Sequence, residues 1–240
     1  PDFPYLDTDR ADRVMAEYLA SVSGVDRNVG RLLNTLDELG LRENTVVIFT
    51  SDHGYNVGHH GVLHKGNAHW LTNWARGKSG PEVVRPNLWD SSLRTPTAIR
   101  WPGVIAPGTK VDDVVTNLDW FPTILAMTDV DLPPPLTIHG RNFLPLLDGN
   151  SAGWDNEMYA EYSIHHYKEA DLRAWRTPEW KLVRDFRNEG HDELYHLLED
   201  PDERENLIGD PKYATIQDDL ERKLLARMQA IKDPVLGRKD

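Results

Sequence analysis

The chain has 240 residues, 39% of them apolar, enough for one large domain or a domain with a smaller companion. Its 39 acidic side chains against 27 basic ones give a formal charge of -12, which argues against a nucleic-acid backbone or an anionic membrane as the general partner and requires a local positive site for any anionic ligand. Cysteine is absent, and with it disulfides, thiolate metal sites and a cysteine nucleophile.

No window approaches the roughly 18 consecutive apolar residues of a membrane span, and Pro1-Asp2-Phe3-Pro4-Tyr5 has neither a basic start nor an apolar signal segment. The start without Met points to a processed or truncated polypeptide.

Between about residues 9 and 39, apolar residues recur at Met15, Tyr18, Leu19, Val22, Val25, Val29, Leu32, Leu33, Leu36 and Leu39, which predicts a long amphipathic helix ending before Gly40. Residues 45–50 are continuously apolar and β-branched, the composition of a strand covered on both faces, so helix, turn and strand form an α/β unit. A second strand is expected at 97–101, closed by Pro102-Gly103. A helix follows from near Asp119 to Met127, with two possible starts: a capping box of Thr116 with Asp119, or a start at Asp119 that places Pro122 in the first turn.

Pro133-Pro134-Pro135 and Asp148-Gly149-Asn150-Ser151 are loop segments, the second marking a boundary between domains at 1–150 and 151–240. Beyond it, residues 158–162, 180–184 and 193–197 read as strands of an antiparallel sheet. Ile216, Leu220, Leu224, Leu225, Met228 and Ile231 mark one face of a closing helix.

The chemistry concentrates at 50–65, T-S-D-H-G-Y-N-V-G-H-H-G-V-L-H-K, directly after the apolar strand. In open α/β sheets ligands sit outside the carboxyl ends of strands. Asp52 offers a hard anionic oxygen and His53 a neutral nitrogen, a pair able to share a metal ion, while Lys65 could hold an anion beside it. The plainer alternative is that Asp52 caps a turn and His53 packs locally. His59, His60, His64 and His69 lack the spacing of a zinc signature and read instead as lining of a polar pocket.

This segment resembles the metal- and sulfate-binding stretch of type I sulfatases of the alkaline phosphatase superfamily. Other segments resemble the family too: residues 25–33; Leu93-Arg94-Thr95-Pro96 with Arg100-Trp101-Pro102-Gly103; residues 117–125, which carry Asp119-Trp120-Phe121-Pro122-Thr123; and Glu193-Leu194-Tyr195 through Asn206-Leu207. The resemblance implies an alkaline-phosphatase-like α/β sandwich with a buried mixed or mainly parallel sheet, and a small C-terminal α+β subdomain of antiparallel sheet and terminal helix. It implies metal coordination by Asp52 and His53, sulfate contact through Lys65, and a place for His60 in the substrate pocket. Calcium is the ion it implies; the His53 nitrogen leaves zinc or another divalent ion open. Residues 66–88, longer than the usual connection and carrying Trp70, Trp74, Arg76, Lys78 and Arg85, are either a substrate-facing lid or a solvated loop.

The family nucleophile is a formylglycine made from Cys or Ser in C/S-x-P-x-R, and this sequence contains no such segment. The chain therefore resembles the C-terminal half of a sulfatase, inactive alone, whose partners are the N-terminal half and a sulfated small molecule or glycan. Self-association is expected where that half would cover apolar surface. Export to the periplasm or outside the cell follows only from the resemblance. The alternatives are a zinc-dependent phosphodiesterase or phosphonate hydrolase of the same superfamily, and a non-catalytic binding module retaining the fold.

Overall fold

The structure is a computed structural model describing residues 8–61, 63–66, 86–132, 134–165 and 169–237. In chain order its elements are α1 (Thr8–Glu38), β1 (Val47–Phe49), β2 (Asn56–Val57), β3 (Leu63–His64), α2 (Asp90–Leu93), β4 (Ala98–Arg100), α3 (Trp120–Met127), α4 (Leu144–Leu147), β5 (Met158–His165), β6 (Glu169–Arg176), β7 (Trp180–Asp185), β8 (Glu193–His196) and α5 (Ala214–Ala230). They group into two units: Pro1–Leu19, His53–Thr95 and Glu157–Asp240 in one, Ala20–Asp52 and Pro96–Asn156 in the other. No described helix is long and apolar enough to cross a membrane.

The unit completed by the C-terminus is built on an antiparallel sheet of order β5-β6-β7-β8. Side chains alternate across it. Leu172 and Ala174 of β6 with Val183 of β7 face one way and pack with Leu88 and Leu93. Leu182 and Leu194 face the other way and meet Leu220 of α5, while Leu224 and Met228 continue the α5 contact against Trp175 and Tyr159. Residues 169–176 are a strand that the hydrophobic pattern did not reveal. Both faces of β6 are covered, so its Asp171 and Arg173 are buried with its apolar residues and no alternation of polarity remains. Arg173 forms a two-pronged pair with Asp233, Nε to Oδ2 at 2.5 Å and Nη2 to Oδ1 at 3.0 Å, and Tyr159 donates to the same carboxylate at 2.9 Å.

On the Val183 face Lys181 is fully buried. Its ammonium donates to Leu88 O at 3.0 Å and Asp90 Oδ1 at 2.8 Å, and pairs closely with Glu203. Arg176 Nη2 completes the cluster on Asp90 Oδ2 at 2.8 Å. Two ammonium hydrogens thus meet acceptors and the Glu203 carboxylate faces the charge, the pairing that keeps such a group out of water.

In the other unit β1 pairs antiparallel with β4, Ile48 opposite Ile99. Asp37 near the end of α1 accepts from Arg100 at 3.0 Å and Arg42 at 3.1 Å. At α3 both sequence-derived starts occur together: Thr116 N–H donates to Asp119 Oδ2 at 2.7 Å across a single 3₁₀ turn, and α3 then begins at Trp120 with Pro122 in its first turn.

The expected mixed or mainly parallel buried sheet is corrected for this chain, since every strand pairing among the described residues is antiparallel. Val47 and Ile48 are half-buried and Phe49 is 39% exposed. An all-apolar strand expects neighbours and layers on both sides, and the described residues give β1 one neighbour. Val22, Val25 and Leu32 of α1 and Phe121 and Ile124 of α3 are exposed as well.

The buried cluster makes stability depend on pH. Burial pushes the Glu203 carboxyl up from its ordinary 4.5 to about 6, against the pull of Lys181. For Asp90 burial also acts upward, but Arg176 and Lys181 together outweigh it and bring the group from 3.8 down to about 2. Glu203 binds its proton more tightly in the folded state, so its contribution is complete below pH 4.5 and is lost as pH rises through about 6. Asp90 contributes in the opposite sense, above pH 3.8, and its part is lost as pH falls toward 2. We expect urea melts to show a decline on the order of 2 kcal/mol as Glu203 ionises, and Glu203→Gln to flatten that slope.

Candidate functional site

Asp52 follows the strand β1 and is exposed. Its backbone is fixed by Asn117, whose Nδ2 donates to Ser51 O at 3.2 Å and Asp52 O at 3.0 Å, while Thr50 and Thr97 hydroxyls meet at 3.0 Å beside it. Asn117 was not singled out as a site residue. Its signal lay in the Asn-Leu-Asp-Trp-Phe-Pro-Thr segment, where the amide precedes the helix start by three residues.

The division between the two units falls between Asp52 and His53. His53 is half-buried, with Nδ1 at 2.7 Å from Gly54 O. A carbonyl only accepts, so Nδ1 carries the proton and the lone pair of the neutral ring sits on Nε2. That tautomer suits a nitrogen ligand whose other ring position is held by the backbone.

His60 has φ 52, unusual for a residue with a side chain, and its ring lies on Trp89 with centroids 3.8 Å apart and planes 13° apart. Trp89 is in turn anchored through Nε1 to the Tyr195 hydroxyl of β8 at 3.4 Å. Burial, then the neighbouring His59, lower the His60 imidazole from its ordinary value, so the ring is neutral at pH 7. His59 is exposed, and its Nδ1 accepts from Val57 N–H at 3.3 Å, closing the turn. Lys65 is exposed and sits between β3 and Gly66, whose carbonyl accepts from Asn87 N–H at 3.0 Å. The His64 side chain, His69, and Trp70, Trp74, Arg76, Lys78 and Arg85 of the expected lid lie outside the described residues.

His53, His60 and Lys65 thus share one unit, and Asp52 ends a segment of the other. Among the described residues no group of three or more His, Cys, Asp or Glu side chains is placed to hold a metal ion. The donors present amount to a partial set.

A sulfatase family model matches residues 2–130, and a model described as N-sulphoglucosamine sulphohydrolase, C-terminal, matches residues 85–230. The chain belongs to the sulfatase family. It is 30% identical over 224 residues to an N-acetylglucosamine-6-O-sulfatase from Bacteroides thetaiotaomicron, covering 91% of this chain and 36% of that protein. A solved structure in complex with its substrate D-glucosamine-2-N,6-O-disulfate superposes with TM-score 0.76 at 29% identity, over 91% of this chain and 41% of the other. The phosphonate monoester hydrolase of Agrobacterium radiobacter superposes with TM-score 0.70 at 26% identity, over 87% of this chain and 40% of the other. The chain therefore spans about two fifths of the length of these sulfatase-fold proteins, and α/β architecture of the alkaline-phosphatase kind is the fold it shares with them.

The stacked His60 ring offers a direct check. We expect Trp89→Ala, which strips one face of the imidazole of its cover, to raise the His60 pKa toward the ordinary 6.5, as followed by NMR titration of the ring protons.

Proposed function

We propose that this chain is the C-terminal portion of a sulfatase that hydrolyses sulfate esters, with the sulfate oxygens held by Lys65. The observation carrying the reading is the match of sulfatase family models across both halves of the chain, together with the Asp52-His53-Gly54 and Lys65 pattern after β1. The nucleophile comes from outside this chain: a formylglycine in the missing N-terminal half supplies the group that attacks sulfur. This chain's own contribution is electrostatic and positional. The Lys65 ammonium neutralises charge on the sulfate, Asp52 and His53 Nε2 provide two ligands of a divalent-cation site completed elsewhere, and neutral His60 lines the substrate pocket. Calcium is the ion we assign, the nitrogen of His53 being the feature that favours zinc or another transition metal instead.

The substrate class is a sulfated small molecule or glycan. Support for a sulfated sugar comes from two of the matches, one named for N-acetylglucosamine and one solved with a disulfated glucosamine. Export to the periplasm or the extracellular space accompanies this proposal. A second reading, a phosphonate hydrolase, is favoured by the resemblance to the Agrobacterium enzyme. Metal analysis with parallel assays on aryl sulfate and phosphonate ester separates the two.

The complete protein should hydrolyse a chromogenic aryl sulfate and lose about 10²- to 10³-fold in rate with Lys65→Ala, the usual cost of removing one group that stabilises developing charge. The 240-residue chain alone should show no turnover; activity of the isolated chain that survives repurification contradicts the proposal. The same chain leaves Val22, Val25, Leu32, Phe49 and Phe121 uncovered. At roughly 25 cal/mol per Å², several hundred Å² of such surface is worth on the order of 10 kcal/mol. Sedimentation should therefore show self-association, relieved by adding the N-terminal half.

A further inference from the structure

In the unit holding His53, His60 and Lys65, the loop from Gly54 to Gly66 is closed at both ends on one serine. Ser92 Oγ accepts from Asn56 Nδ2 at 2.7 Å and donates to Asn87 Oδ1 at 2.7 Å. The Ser92 carbonyl accepts from Gly54 N–H at 2.8 Å, and Asn87 N–H donates to Gly66 O at 3.0 Å. Ser91 Oγ donates to Asn56 Oδ1 at 2.6 Å, so both ends of that amide are engaged from α2. Asn56, Asn87 and Ser92 are all buried.

The packing leaves no room for another register. A Cβ on Gly54 would lie 2.3 Å from Ser91 O and 2.8 Å from Arg94 O; one on Gly66, at φ +77, would lie 2.4 Å from Ser92 Oγ. Slipping the loop would also leave buried amide and hydroxyl groups half paired, which is costlier than any single bond they make. His53 directly precedes Gly54, and Lys65 directly precedes Gly66. The clamp points are therefore one residue from each candidate functional group, and the hydroxyl joining them belongs to neither.

We propose that Ser92 is a positioning residue that fixes Lys65 against the segment carrying His53, and so governs affinity for the sulfate anion, through Lys65, without touching it. The inference rests on the reading of Lys65 as the sulfate contact. The test is calorimetric titration of inorganic sulfate into the complete protein and its variants, each confirmed folded by circular dichroism. Lys65→Ala should weaken sulfate binding about tenfold or more, and Ser92→Ala should weaken it by a similar factor. Ser92→Ala should add nothing when Lys65 is already Ala, because its effect passes through that side chain. If Ser92→Ala does not fold, Asn87→Ala, which removes the acceptor at the Gly66 end, carries the same expectation. Unchanged affinity in Ser92→Ala beside a loss in Lys65→Ala overturns the positioning role while leaving the Lys65 reading intact. Additive losses in the double variant overturn it too, and unchanged affinity in Lys65→Ala overturns both.

Discussion

The ammonium of Lys181 is the constraint on which this architecture turns. A lysine excluded from water is tolerated only when it is hydrogen-bonded and its charge is matched, and β7 supplies neither condition by itself. The acceptors come from far along the chain: Leu88 O and Asp90 Oδ1 from the segment entering α2, and Glu203 from the loop after β8. Meeting that demand holds residues 86–93 on the sheet face formed by Leu172, Ala174 and Val183. Glu203 Oε2 also accepts from the Asp90 N–H at 2.5 Å, so side chain and backbone of the same residue are fixed together.

The consequences run outward from α2. Asn87, Ser91 and Ser92 flank or belong to it, and they grip the loop bearing His53 and Lys65; Trp89, between them, carries the stacked His60. A buried charge in the C-terminal sheet thus supports groups that lie in sequence more than a hundred residues earlier. This arrangement suits a reaction in which the protein's work is electrostatic, because fixed charges act only as well as they are held.

Much of this was legible in the sequence, and the exceptions have physical causes. α1 and α5 follow apolar spacing, α3 follows the Thr116–Asp119 capping box and the place of Pro122, and β5, β7 and β8 follow short aromatic and aliphatic runs. β6 escaped because Asp171 and Arg173 are buried on a strand covered on both faces, where polarity no longer reports exposure. Lys181 reads as a solvated lysine for the same reason. The β1 strand was correctly read as apolar throughout, but apolarity records the surroundings a strand evolved for, and in this chain Phe49 is partly open. The chemical pattern of Asp52, His53 and Lys65 stood out because a carboxylate, several imidazoles and an ammonium crowd into one short segment after an apolar strand. The network of Asn56, Ser92 and Asn87 did not, because uncharged partners 36 residues apart leave no periodic mark.

The claim that one buried ammonium organises the candidate site can be read amide by amide. Native-state hydrogen exchange on Lys181→Met removes the charge at nearly constant volume, leaving Asp90 with Arg176 and allowing Glu203 to take up a proton. The account predicts that the amides of Gly54, Asn87 and Arg94, which donate to Ser92 O, Gly66 O and Asp90 O, exchange roughly tenfold faster or more while the β6–β7 ladder keeps its protection. Loop amides that stay as protected as before, or a loss shared equally by the ladder, would contradict it.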